Sequence, residues 1–147
     1  MNWDTVTEFR HRGASNTFCI TVKHHTIDEK YCSPGEGPHR WALYVYIYPN
    51  HTMFQEFDGN THIYQKACEN MPLHGGCSYV RYHLDEKDKT KPSSVQVGCD
   101  YNHLHDEFYT HLPLADFKGS SVERDAKVLF DYMTRRETVP NEQDDAE

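Results

Sequence analysis

"WALYVYIY", residues Trp41–Tyr48, is the stretch whose reading decides the fold. It is a short apolar run of aromatic and β-branched residues, which suits a strand better than a helix. Pro49 ends it, because proline lacks the N–H that a sheet ladder needs. A strand apolar on both sides belongs in the middle of a sheet. Tyr44, Tyr46 and Tyr48 fall on one side of it, where core packing is expected. A base-stacking platform is the alternative for them.

Working outward, Thr17–His24 (TFCITVKH) alternates, with Phe18, Ile20 and Val22 on one face. That is the pattern of a half-buried strand. Residues 25–40 carry two prolines and two glycines and read as a loop. Past the central run, short helical turns are expected over Thr52–Phe57 and Tyr64–Asn70, with a DGN turn between them. Cys77–Leu84 and Ser94–Cys99 read as strands joined by the polar loop DEKDKTKPS. Ser120–Arg136 has Val122, Ala126, Leu129, Phe130 and Met133 at helical spacing. Ser120 and Glu123 suit a capping box, and Arg135 and Arg136 suit the negative end of the helix dipole. The expected class is α+β: a mainly antiparallel sheet with a C-terminal amphipathic helix packed on one face. One domain is expected over 1–136, followed by an acidic disordered tail over 137–147.

The chain's 147 residues suit a single domain that folds without staples. Net charge is −8, of which the tail alone carries five acidic residues and no basic one. That balance argues against general nucleic-acid binding, which needs a positive field. Five widely spaced cysteines with no C-x-x-C read as free thiols in a reducing compartment. The start, MNWDTVTEFRHR, has no apolar leader, and no run approaches the length of a membrane span. A cytoplasmic protein is therefore expected.

Chemistry concentrates in two places. If the loop after Leu84 closes an antiparallel hairpin, Leu84 is expected opposite Ser94, Ser78 opposite Asp100 and His74 opposite Leu104, each to within a residue or two. "HGGCSY" (His74–Tyr79) then lies beside "GCDYNHLHD" (Gly98–Asp106). The candidate ligand-binding set is His74, Gly75, Gly76, Tyr79, Asp100, His103 and Asp106. Glycines at 75, 76 and 98 let backbone or ligand approach closely. Histidine and aspartate together can hold a divalent metal, and a His–Asp pair can act as general acid and base. They can also simply build a polar pocket, or a turn. The spacing D-x-x-H-x-H-D is no standard metal signature, so a divalent metal is a candidate cofactor rather than an assigned one. His24, His25, Cys32 and His39 are spaced too irregularly to read as a metal site. Cys77 reads as a small apolar filler between strands.

The same residues carry a resemblance. Trp41–Ile47, then His74-Gly75-Gly76-Cys77-Ser78-Tyr79, then Gly98–Asp106, then the helix over Ser121–Met133, follow one another as in small uncharacterised bacteriophage and prophage proteins. The chain resembles that group over residues 41–135 through its H-G-G-x-[TS]-Y and G-x-D-x-x-H-x-x-D patterns. It departs at Cys77, Ser78, Cys99, Tyr101 and His105. The resemblance implies a phage-encoded accessory protein in the cytoplasm of an infected bacterium. Such a protein would counter a host system by binding a host protein or a nucleotide-type signal in the polar pocket. The alternative is a small metal-assisted hydrolase or phosphodiesterase using His74, Asp100, His103 and Asp106.

Overall fold

A computed structural model describes residues 4–10 and 16–137. Its five strands are β1 (Asp4–Arg10), β2 (Phe18–Thr26), β3 (His39–Ile47), β4 (Tyr79–Leu84) and β5 (Pro92–Asp100). They form one antiparallel sheet in the order β1-β2-β3-β5-β4. The expected central strand is central: β3 pairs with β2 from Phe18↔Ile47 to Thr26↔His39, and with β5 from Ala42↔Asp100 to Ile47↔Val95. The helices are a short α1 (Glu107–Thr110) and α2 (Ser121–Glu137). The α+β class is therefore as expected. The two helical turns after β3 are 3-10 turns, Thr52–Glu56 and Lys66–Cys68. No helix among the described residues is long and apolar enough to cross a membrane. Of the expected tail, Glu137 ends α2, and 138–147 lie outside the described residues.

Directly paired residues share a face of the sheet. Trp41, Leu43, Val45 and Ile47 therefore line up with Phe18, Ile20 and Val22 of β2 and with Val95, Val97 and Cys99 of β5, all buried. α2 covers this face with Val122, Ala126, Leu129 and Met133. Phe130 reaches Phe9 and Phe18, at ring-centroid distances of 6.0 and 5.4 Å. The β3–β4 connection adds Met53, Phe57, Cys68 and Met71 to the same core. Burying each such side chain contributes about 1.5–3 kcal/mol, so this face supplies most of the driving force. Ser120 caps α2, its Oγ accepting from Glu123 N–H at 3.3 Å. The second bond of the expected capping box goes one residue further back: Gly119 N–H donates to Glu123 Oε1 at 2.8 Å.

The sequence reading and the structure differ at three places. First, the reading assigns no element to Asp4–Arg10, where β1 pairs with β2. A register shift between Thr5 and Thr7 breaks its alternation, and most of its side chains are exposed, so the period of two is hidden. Second, the β4–β5 hairpin sits one residue from the central pairing expected, within the stated tolerance. His83, not Leu84, faces Ser94, and Leu84 faces Pro92 across an irregularity. β5 also starts two residues early, at Pro92, an element-first position that proline tolerates. Third, Tyr44 and Tyr46 are not in the core. Strand alternation turns them to the open face, where they are half-buried. Tyr44 lies over Gly98, and a Cβ at 98 would come within 2.3 Å of Tyr44 Cδ1 and 2.4 Å of Leu43 O.

His51 ties the connection to the helix. It is 1% exposed; Nε2 bonds Met133 O at 3.0 Å, and Nδ1 accepts from Met53 N–H at 3.0 Å. Those two bonds fix a neutral ring, with its proton on Nε2. Burial, partly offset by the Met133 carbonyl, pushes its pKa below the ordinary value.

Two outcomes are expected. Gly98→Ala should lower unfolding free energy by about 1–3 kcal/mol, since the backbone neighbour cannot give way; urea titration measures it. For His51 the unfolded chain takes up the proton first, near pH 6.5. Its contribution is present above that pH and lost as pH falls toward the lowered folded value. Between pH 7 and 5.5 the wild type should lose stability more steeply than His51→Gln, measured as urea midpoints at each pH.

Candidate functional site

β5 ends at Asp100, and Tyr101 N–H continues the ladder by donating to Trp41 O at 3.1 Å. The chain then turns tightly. Asn102 N–H donates to Asp100 Oδ1 at 3.1 Å, and Asp106 N–H donates to His103 O at 3.0 Å. Asp106 answers by accepting His103 N–H on Oδ2 at 2.9 Å. The turn forces His105 into a left-handed backbone with φ 77°, a conformation unusual for any residue but glycine.

Two rings converge on the Asp106 carboxylate. His74 Nε2 lies 2.8 Å from Oδ1, and His103 Nδ1 lies 3.0 Å from Oδ2. Asp106 is 6% exposed, whereas the His103 side chain is 38% exposed, so the group is closed at the carboxylate and open at one ring. His103 Nε2 faces Asp100 Oδ1 at 3.4 Å. Burial opposes the Asp106 charge. The His103 backbone N–H and the two rings outweigh it and hold its pKa below the ordinary carboxylate value. The ligand atoms of His74, His103 and Asp106 all lie within 4.8 Å of one another, close enough to hold a metal ion.

The β4–β5 ladder ends at Tyr79↔Gly98, and the turns beyond it bring His74 and His103 together, with ring centroids 5.9 Å apart. Gly75 fits against the same ring: its φ is 70°, and a Cβ there would lie 3.0 Å from His103 Cε1. Gly76, at φ 89°, has open space around it, so its requirement is conformational. Asp100 sits at the rim, half-exposed. Tyr79 is not brought to the cluster. It faces Gly98 across the ladder, and its ring packs on Tyr44 at 5.4 Å on the open side of the sheet.

Sequence reasoning missed the support beneath His74. Tyr101 stacks on the imidazole at 4.3 Å and 15°, and Tyr109 meets it edge-on at 5.1 Å. Tyr101 is 1% exposed and donates its hydroxyl proton to Asp125 Oδ2 at 2.8 Å, which anchors the site to α2. Burial, reinforced by the charges around it, pushes its phenol far above the ordinary value and keeps it protonated. One signal was available: Tyr101 continues the Val95, Val97, Cys99 alternation onto the core face.

Beside His103 a groove of about 320 Å³ runs between Ser33-Pro34, Glu36 and residues 102–105 and 107. Its far wall is docked on α1, where Gly37 N–H donates to Thr110 Oγ1 at 2.9 Å. Glu107, Asp100 and Asp106 place carboxylates at this end of the sheet, while Glu36 is ion-paired with the buried Arg40 at 2.9 Å. The other histidine group is separate: His24 Nε2 lies 2.9 Å from His39 Nδ1, while the Cys32 thiol donates to Gly37 O at 3.3 Å.

Comparison with protein-family models, curated proteins and solved structures found no match to this chain.

Asp106 and Asp100 should separate in mutation. Asp106→Asn replaces a buried acceptor of three bonds with a group that presents one N–H₂ to a donor, and should cost about 1–3 kcal/mol. Asp100→Asn, at the half-exposed rim, should stay within about 0.5 kcal/mol. Guanidinium titration of the two variants side by side measures the gap.

Proposed function

We propose that the protein binds a divalent transition-metal ion through His74 Nε2, a ring nitrogen of His103 and the Asp106 carboxylate, and uses it hydrolytically on a polar ligand of nucleotide type. The observation that carries this reading is the convergence of two imidazoles and one carboxylate from two chain segments, with one side open to a groove. Closed four-ligand sets are the structural pattern, whereas three protein ligands with an open position are the catalytic one. The Asp106 carboxylate, with Asp100 beside it, favours a cation at the meeting point of the two rings.

The chain's own groups then have distinct tasks. Asp106 is fixed by its turn and presents both oxygens to the rings. If His103 ligates through Nδ1, its Nε2–H points at Asp100, the carboxylate–histidine relation that orients metal ligands. Tyr101 and Tyr109 hold the plane of His74. A metal held by His74, His103 and Asp106 would supply Lewis-acid chemistry for hydrolysis. The groove gives the ligand room, with exposed Leu104 in its wall.

A second reading is favoured by one observation: the Asp106 oxygens are already satisfied by the rings and a backbone N–H. In it the site is metal-free and only binds, which is the host-directed accessory role that the phage-protein resemblance implies. The partner is then a host defence protein or a nucleotide-type signal.

Thermal unfolding with Zn²⁺, Co²⁺ and Mn²⁺, and separately with mononucleotides, distinguishes them. A metal at a hundredfold excess over its Kd should stabilise the wild type by about 2.7 kcal/mol. The shift should vanish in His74→Ala, His103→Ala and Asp106→Asn, and persist in Asp100→Asn. A nucleotide shift without metal, lost in His103→Ala, would support the binding-only reading. No shift from any ligand, with large stability losses in all three variants, would reduce the cluster to a structural network.

A further inference from the structure

The open face of the sheet carries groups that the His–Asp cluster does not use. We propose that this face is a platform for single-stranded DNA, with bases stacking on Tyr44, Tyr46, Tyr48 and Tyr79 and phosphates held by Arg10, Lys23 and Arg81.

Strand register brings these groups together. One row across the sheet, from β4 to β1, runs Arg81, Gln96, Tyr46, Cys19, Arg10. The next runs Tyr79, Gly98, Tyr44, Thr21, Glu8, and in the row after it Lys23 pairs with Ala42. Directly paired residues share a face, so the β3 rings stand in the middle with an arginine at each edge. α2 takes the opposite face with its apolar side. The four tyrosines are half-buried, and their ring contacts stay on the open face: Tyr44 with Tyr79 at 5.4 Å, and Tyr46 with His83 at 5.7 Å. Tyr44 fills the space that a side chain at Gly98 would take. Between the rings, Cys19, Thr21 and Gln96 are only 4%, 3% and 6% exposed, and His83 Nε2 donates to Gln96 Oε1 at 2.7 Å. What the face offers a ligand is therefore ring and cation.

That combination suits an unpaired strand. Residues on one side of a strand recur about every 6.6 Å, so Tyr44, Tyr46 and Tyr48 make a ladder of rings along β3. Unpaired bases stack on such rings with little regard to sequence, while cations follow the backbone. Beside the ladder runs a groove of about 240 Å³, lined by Arg10, Lys23, Tyr46 and Tyr48 together with Glu8. Glu8 lies 3.8 Å from Arg10, so the groove holds two cations to one carboxylate, and exposed Arg81 adds a third cation from the β4 edge. The chain's net charge of −8 does not govern this contact, because at physiological salt a charge acts over about 8 Å. The phenols stay neutral beside phosphates: burial pushes Tyr44 up to about 12 and raises Tyr46 and Tyr48 as well. Thr21 and Gln96 are covered, so the face meets bases and phosphates rather than the 2′-hydroxyl that marks RNA, and DNA is the better fit.

The test is fluorescence anisotropy of a labelled oligothymidylate with the full chain, in EDTA so that the His–Asp cluster plays no part. The single strand should bind, and a duplex of the same length should bind more weakly. Tyr46→Ala should weaken binding about fivefold or more, the loss of one stacked base, whereas Tyr46→Phe keeps the ring and should stay within about twofold. Arg81→Gln should reduce the slope of log K against log salt by about 0.7. Tyr31→Ala, which removes an exposed ring from the loop between β2 and β3, should change nothing. Absence of binding at about 100 µM protein, the weak end of non-specific association, would overturn the proposal. So would an equal loss in Tyr31→Ala, a preference for duplex, or tighter binding of oligouridylate than of oligothymidylate. If Tyr46→Ala does not fold, Arg81→Gln at its exposed edge position decides through the salt slope.

Discussion

The structure depends on β5 being paired on both sides. β3 takes one edge of its backbone and β4 the other, while Val95, Val97 and Cys99 commit its side chains to the core. A slip by one residue would send those three to the open face and bring Gln96, Gly98 and Asp100 inward, so the register has no soft alternative. That fixed register sets where Asp100 leaves the sheet, and hence where the turn from Asn102 to Asp106 begins. The site is a consequence of strand pairing before it is a consequence of its own hydrogen bonds.

Within the site the controlling group is one carboxylate. Asp106 is shared by two imidazoles and by the backbone of the turn it closes, so ring placement and loop shape cannot vary independently. His74 is gripped further between Tyr101 and Tyr109, and the Tyr101 hydroxyl reaches α2 through Asp125. The rings are thus braced from the sheet, the short helix and the long helix together. A charge so held would need little reorganisation to meet a cation.

Much of this was legible in the residues. The run Trp41–Tyr48 announces the central strand because its length and β-branched content leave few other uses for it. α2 is equally plain, since five apolar positions share one helical face. The pairing of the two polar motifs followed from hairpin geometry alone. What stayed hidden had physical reasons. β1 is a polar edge strand whose irregularity erases its period. The place of Tyr79 turned on parity: one residue of register decides which face a side chain takes, and sequence fixes hairpin register only to within a residue or so. Tyr101 looked like a departure from a motif, although its alternation with Cys99 already pointed it inward. Tyr44 and Tyr46 were harder, because a tyrosine lying flat on an open face over a glycine is as apolar in sequence as one in the core.

The hairpin that assembles the site also isolates its own tip. Asp85–Lys91 closes β4 and β5 at the end opposite Tyr79 and Gly98, with Asp85 N–H bonded to Lys91 O at 2.8 Å. The six residues of β4 put roughly 20 Å between that turn and the start of the strand. Added length in a polar loop costs little closure entropy, and β5 on one side of it is locked by the core. The tip is accordingly the natural place to splice in an epitope, a fluorophore or a tether. A chain so extended can be immobilised or followed optically while the carboxylate and its two rings stay as they are.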